Sequence, residues 1–226
     1  MVMADGIAGG FCRASLSLGS VPWHRRHMDR RLPFAGFVLL SLGLLLWAAH
    51  PVDLAIHHVA LLDRRSWAVR QALWFTSLGG LLVMGPVALL AAGGLFWRRR
   101  GGEALWLVLT IMSGRLLVEG VKLLVQRPRP PIADRLEWVT SWSFPSSHSA
   151  GTMMTCVALS MLWGRTAGWI AALFAAVAIG WSRVALGVHW PSDVLAGWGF
   201  GLLWVGAAVR WAPQKSPLPP SQERVG

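Results

Sequence analysis

The chain has 226 residues, 54% of them hydrophobic and only 14% charged, with a formal net charge of +11. Its apolar residues gather in runs that approach or exceed the roughly 18 to 20 residues needed to cross a bilayer as a helix, which excludes an ordinary soluble domain. The positive charge does not point to nucleic acid, because the basic residues lie in short clusters between apolar runs rather than along one polar face; topology and anionic lipid account for it.

Residues 1–33 form a polar, basic tail, with Arg25, Arg26, Arg30 and Arg31 ahead of the first apolar run. No small-residue cleavage pattern follows Trp47, which argues against a signal peptide. The segment MDRRLPF at Met28 reads as an ordinary start for a bacterial membrane protein, so the first 27 residues are expected to be an over-extended start. The apolar runs are Phe34–Ala49, Ala72–Trp97, Ala104–Val125, His148–Trp163, Thr166–Trp181 and Val194–Trp211. They predict an all-α polytopic membrane protein, a bundle of six transmembrane helices forming one domain over residues 34–211. The first run is short, about 24 Å at a rise of about 1.5 Å per residue, so it extends beyond the run or thins the local bilayer.

Between the first two runs, Leu54–Leu62 predicts a short helix lying on the membrane surface. Its neighbouring His57 and His58 do not make a metal site, because adjacent residues diverge by about 100° on a helix and no third ligand is near. Fifteen tryptophans and no tyrosine suit interfacial anchoring, and Trp47, Trp97, Trp163 and Trp211 stand at run ends. Cys12 and Cys156 are poorly placed to pair, and no disulfide or metal site is expected from them. The proline-rich residues 212–226 are expected to be a disordered tail.

Orientation follows from arginine and lysine. Residues 1–33, Arg98 to Arg100, Arg165 and the tail with Arg210, Lys215 and Arg224 outweigh the opposite side once Lys122, Arg129 and Arg183 are assigned to a site. Both termini are therefore expected in the cytoplasm of a bacterial inner membrane, with the Trp181–Asp193 stretch facing the periplasm or exterior.

Three stretches fall on that outer face. In KLLVQRPRP, Lys122 offers a point charge and Arg129 a planar fork of donors that matches phosphate oxygens, with prolines 128, 130 and 131 stiffening the exit. Taken alone, such residues at a membrane edge bind lipid headgroups. Pro145 to Ser149 opens the fourth run, where a helix N-terminus favours an anion, Ser146 adds a hydroxyl and His148 supplies an acid or base. Taken alone, Ser146 and Ser147 are N-caps. In WSRVALGVHWPSD, His189 and Asp193 are four apart, a spacing at which they touch on one helix face, and Pro191 suits a first helical turn. There the carboxylate holds the imidazole in one tautomer, as an activated nucleophile requires.

Together these stretches resemble the three motifs of the type 2 phosphatidic acid phosphatase superfamily, K-x6-RP, PSGH and SR-x5-H-x3-D. They stand here as Lys122 to Arg129-Pro130, Pro145-Ser146-Ser147-His148, and Ser182-Arg183 through His189 to Asp193. One position departs, with Ser147 where the family usually has glycine. The resemblance implies that His189 attacks phosphorus, Asp193 orients it, and His148 protonates the leaving oxygen and then activates water. It implies that Lys122, Arg129, Arg183, Ser146 and the Ser147 N–H bind the phosphoryl oxygens, with no metal or other cofactor. It also implies a membrane lipid phosphate or diphosphate as substrate in the bilayer, with undecaprenyl diphosphate the first choice on orientation and bacterial origin. Phosphatidylglycerol phosphate, phosphatidic acid, lipid A and transfer to an acceptor other than water are the alternatives. A protein that binds or transports a lipid phosphate without cleaving it is the rival from another class; the two histidines and the carboxylate speak against it.

Arg115 and Glu119, four apart inside the third run, are expected to be a structural pair beneath the site, with Glu119 close enough to tune Lys122.

Overall fold

In a computed structural model of the protein, residues 25–164 and 166–213 are described. Those residues form α1 (Arg25–Ala48), α2 (His50–Ala60), α3 (Ala68–Gly79), α4 (Leu81–Trp97), α5 (Gly101–Val125), α6 (Ser147–Trp163), α7 (Thr166–Ala185) and α8 (Pro191–Ala208), with short 3-10 turns at Ile132–Asp134 and Val209–Trp211 and no strand among them. The readings placed on Cys12, on the chain start and on the tail beyond Pro213 lie outside the described residues.

The all-helical expectation holds, but the span count is coarser than six. Four helices are long and apolar enough to cross a membrane, and five if the bent pair α3–α4 counts as one. The run Ala72–Trp97 is not one straight helix: it breaks at Gly79–Gly80 with a 44° bend. The reason is packing. Ile179 and the Thr152 hydroxyl press against the face of Gly79 that a Cβ would occupy, and Gly80 leaves the helical region at ψ 159°. His148–Trp163 falls in α6, which has 17 residues. It carries Ser149, Thr152, Thr155 and Ser160, all buried, because α4, α5, α7 and α8 surround it. A helix so shielded from lipid need not be uniformly apolar.

The first helix begins at Arg25, ahead of its apolar run, and contains Pro33. It lies along α8 through small residues spaced by seven: a Cβ on Gly36 would sit 2.8 Å from the Gly199 carbonyl oxygen, and one on Gly43 2.9 Å from that of Ser192. Without a hydrophobic force between helices in lipid, such close backbone approach is what makes them adhere. Leu45, Leu82, Leu90, Leu116, Leu124 and Leu173 stay exposed, as a lipid-facing surface requires. Behind them, Leu95, Leu107, Ile111, Ala158 and Leu162 pack in one cluster, and Val118, Met154, Val157, Ala176, Leu202 and Val205 in a second.

The helix predicted over Leu54–Leu62 exists as α2, but it does not simply lie on the surface. Asp53 and His57 are fully buried, and His57 packs against Trp190 with the rings tilted by 54° and their centroids 5.2 Å apart. The anchoring tryptophans also divide. Trp97 and Trp211 are exposed, whereas Trp47 turns inward over the Arg127 guanidinium, 4.6 Å from ring centroid to Cζ. Trp106 and Trp204 serve the interior instead, donating to the Ala208 and Thr110 carbonyls at 2.8 and 2.9 Å and tying α5 to α8. Cys156 is a free thiol.

Candidate active site

One end of the bundle gathers the last turn of α5, the loop 126–146, the first turn of α6, the last turn of α7 and the first turn of α8. Gln126, in the left-handed conformation at φ 50°, ends α5 by returning its N–H to the Lys122 carbonyl at 2.9 Å, and the prolines that follow forbid a new helix. The loop then crosses to α8: the Ser143 N–H bonds the Arg127 carbonyl at 2.9 Å, and the Ser146 N–H bonds that of Asp193 at 3.0 Å. After α7 the chain turns at Gly187, whose φ of 69° favours a residue without Cβ.

His189 ends that turn, and Pro191 starts α8 directly after Trp190. Asp193 occupies the third helical position, where its Oδ2 accepts the Trp190 N–H at 3.0 Å. The same oxygen lies 3.3 Å from His189 Nδ1 and accepts the Ser143 hydroxyl at 2.5 Å. On the far side of the ring, His189 Nε2 lies 3.1 Å from Arg129 Nη1. A guanidinium only donates, so Nε2 is the acceptor and the ring proton sits on Nδ1, toward Asp193. Burial, followed by the charges of Arg129, Arg183 and Lys122, holds the His189 pKa well below the usual histidine range. The imidazole is thus neutral, with its lone pair directed at a cluster of cations.

Arg129 is fixed by donating to the Ser141 and Val188 carbonyls, both at 2.6 Å, and its pKa, pushed down to about 10 chiefly by burial, leaves it charged. Buried Lys122 reaches the Ser141 hydroxyl at 3.5 Å. Arg183, almost fully buried, donates through Nη1 to Glu137 Oε2 at 2.5 Å and to the Thr76 hydroxyl. Its Nε has no protein partner. The predicted anion-binding guanidinium is therefore engaged by a loop carboxylate.

At the start of α6 the two serines differ. Ser146 is fully buried and caps the helix, accepting the Ser149 N–H at 3.4 Å and its hydroxyl at 3.1 Å. Its side chain is thus used inside the fold. Half-buried Ser147 donates to Glu119 Oε1 at 2.6 Å. His148 faces the α3–α4 break, where a Cβ on Gly80 would lie 3.6 Å from its Nε2. Arg115 and Glu119 make no ion pair within 4 Å. Arg115 instead lies flat on Gly151, with Nε and Nη2 unpartnered.

Sequence reading missed the residues behind Asp193. Arg127 donates to Asp193 Oδ1 at 2.6 Å and to the Ser192 hydroxyl at 2.7 Å through Nη1, and to Asp53 Oδ2 at 2.9 Å through Nη2. Two signals pointed there: the doubled Arg-Pro of RPRP, and a lone carboxylate in the apolar stretch Val52 to Ala55.

Residues 103–217 match the family model described as the PAP2 superfamily. Phosphatidylglycerophosphatase B of Bacillus subtilis strain 168 is 32% identical over 179 residues, 75% of this chain and 88% of that protein. The chain belongs to the PAP2 superfamily. It is a multi-pass membrane protein and a hydrolase of phosphoric ester bonds. The crystal structure of the Bacillus subtilis PAP2-type phosphatidylglycerolphosphate phosphatase superposes with a TM-score of 0.69 at 30% identity, covering 77% of this chain and 94% of that one. Aquifex aeolicus LpxE gives 0.60 at 26% identity, covering 70% and 94%. An undecaprenyl-diphosphatase of Sulfolobus acidocaldarius is 42% identical over only 62 residues, 27% of this chain and 30% of that protein.

Proposed function

We propose that this PAP2 protein removes the terminal phosphate from a phosphatidylglycerophosphate-type lipid through a phosphohistidine on His189. Similarity over nearly the full length of a phosphatidylglycerophosphatase B carries the substrate choice. It displaces undecaprenyl diphosphate, the first choice from sequence, because likeness to the undecaprenyl-diphosphatase covers under a third of either chain.

In the proposed reaction the Nε2 lone pair of His189 attacks phosphorus, an N–P bond forms, and the P–O bond to the lipid breaks. His148, as the imidazolium formed by taking up a proton together with the phosphate dianion, gives that proton to the departing oxygen and becomes neutral. Asp193 stabilises the Nδ1–H side of the phosphorylated ring. Lys122, Arg129, Arg183 and the Ser147 N–H hold the equatorial oxygens as charge spreads over them. Neutral His148 then takes a proton from water, whose oxygen attacks phosphorus; the N–P bond breaks and inorganic phosphate leaves. The six apolar runs support six spans, and the arginine and lysine distribution supports an inner-membrane protein with both termini in the cytoplasm and the site outward.

The test is phosphate release by the purified protein from phosphatidylglycerophosphate, undecaprenyl diphosphate, phosphatidic acid and a lipid A phosphate, each with and without chelator. We expect the highest kcat/KM with phosphatidylglycerophosphate, no effect of chelator and no turnover by His189→Ala. A preference for undecaprenyl diphosphate overturns the substrate, loss of activity with chelator overturns the metal-free route, and binding without release from any lipid restores the transport reading.

A further inference from the structure

We propose that Asp53 and Arg127 are positioning residues for the reaction, a buried charge relay that runs from α2 to Asp193 and sets the orientation and electrostatics of His189. The inference rests on the phosphohistidine reading above. It concerns a residue, Asp53, that precedes the segment 103–217 matched to the family.

The relay is continuous and enclosed. Asp53, Ser192 and Asp193 are fully buried and Arg127 nearly so. Asp53 Oδ1 accepts the Ser192 N–H at 3.0 Å, and its Oδ2 accepts Arg127 Nη2 at 2.9 Å and the Ser192 hydroxyl. Arg127 spans the two carboxylates with its two terminal nitrogens, using Asp53 Oδ2 on one side and Asp193 Oδ1 on the other. Trp47 and Trp190 close over its guanidinium at 4.6 and 5.5 Å. One bond to each carboxylate from a rigid planar guanidinium fixes the distance and direction between them.

Two carboxylates on one guanidinium leave a net negative charge behind the imidazole. With Arg127 alone, Asp193 would be neutralised by its partner and would offer little to a ring acquiring positive charge during attack on phosphorus. Asp53 offsets Arg127, so that Asp193 retains its pull on the Nδ1 proton. That surplus opposes the cations on the other side of the ring, Lys122, Arg129 and Arg183, which disfavour positive charge on His189. The relay also gives α2 a role in catalysis without contact with substrate: it holds the residue that holds Asp193.

The test compares wild type with Asp53→Asn, Arg127→Gln, the double variant and the milder Ser192→Ala, in phosphate release from a phosphatidylglycerophosphate in detergent, with His189→Ala as the reference for the reading itself. Each single charge variant is expected to lower kcat on the order of 10- to 100-fold, as loss of an outer-shell partner does, with KM moving less than about threefold because Lys122, Arg129 and Arg183 are untouched. The double variant is expected to be no worse than the worse single one, since both break one unit. Ser192→Ala, which keeps both charges and folds most readily, is expected to lose a few-fold in kcat alone. An Asp53→Asn protein with kcat retained, or single effects that multiply in the double variant, overturns the relay while an inactive His189→Ala leaves the reading standing. Activity retained by His189→Ala overturns both.

Discussion

Arg129 Nη1 lies 3.1 Å from His189 Nε2, so the lone pair expected to attack phosphorus already faces the guanidinium expected to hold the phosphoryl group. Substrate binding needs only to draw the donor from nitrogen to a phosphate oxygen.

Arg129→Lys keeps the charge but loses the fork that donates at once to Ser141, Val188 and His189. We expect kcat/KM for lipid phosphate to fall roughly 10²- to 10³-fold, the range for removing one oxyanion-stabilising donor. Steady-state kinetics within twofold of wild type would refute the role.

Glu137 is partly exposed and occupies Arg183, which is itself buried. An incoming dianion competes with that carboxylate for the guanidinium. Glu137→Gln is therefore expected to lower the inhibition constant for inorganic phosphate several-fold, and an unchanged or higher constant would show that Glu137 orients Arg183 rather than opposing the ligand.

Acid sensitivity follows from two imidazoles. Burial lowers the pKa of His57 below 6.5, with Asp134 opposing it, and that of His189 lies well below the same value. The unfolded chain thus binds more protons than the folded one as pH falls through that range, so stability is lost on acidification. The melting temperature should drop between about pH 7.5 and about pH 5, and drop less in His57→Phe, which keeps a ring against Trp190 without a titrating group. An equal drop in both proteins would place the sensitivity elsewhere.

Packing of α1 on α8 is testable by contrast. A Cβ on Gly36 would meet Leu203 N at 2.7 Å and the Gly199 carbonyl at 2.8 Å, whereas one on Gly93 would meet nothing within 4 Å. Gly36→Val is expected to cost about 1–3 kcal/mol, seen as a lower melting temperature in detergent, and Gly93→Ala to cost nothing measurable. Equal stability of the two variants would show that α1 docks loosely.

The sequence by itself determined what depends on short spacing and on solvent. Apolar runs declared a helical membrane protein because lipid leaves the backbone few other ways to satisfy its hydrogen bonds. The i+4 spacing with Pro191 placed Asp193 beside His189 because a helix start fixes that geometry locally. Tertiary structure alone decided what joins distant segments. Asp53 and Arg127 are 74 positions apart, and no periodicity in either stretch announces that they meet. Glu137 engages Arg183 across 46 positions through a loop whose course depends on Gly187 and the prolines after α5. The break at Gly79–Gly80 was likewise set by a neighbour, Ile179, that local patterns do not specify, whereas the capping by Ser146 was legible because Ser149 lies one helical turn away. Side chains expected to bind phosphate could be named from their chemistry. Which of them the fold already holds, and by what, is fixed only when the helices pack.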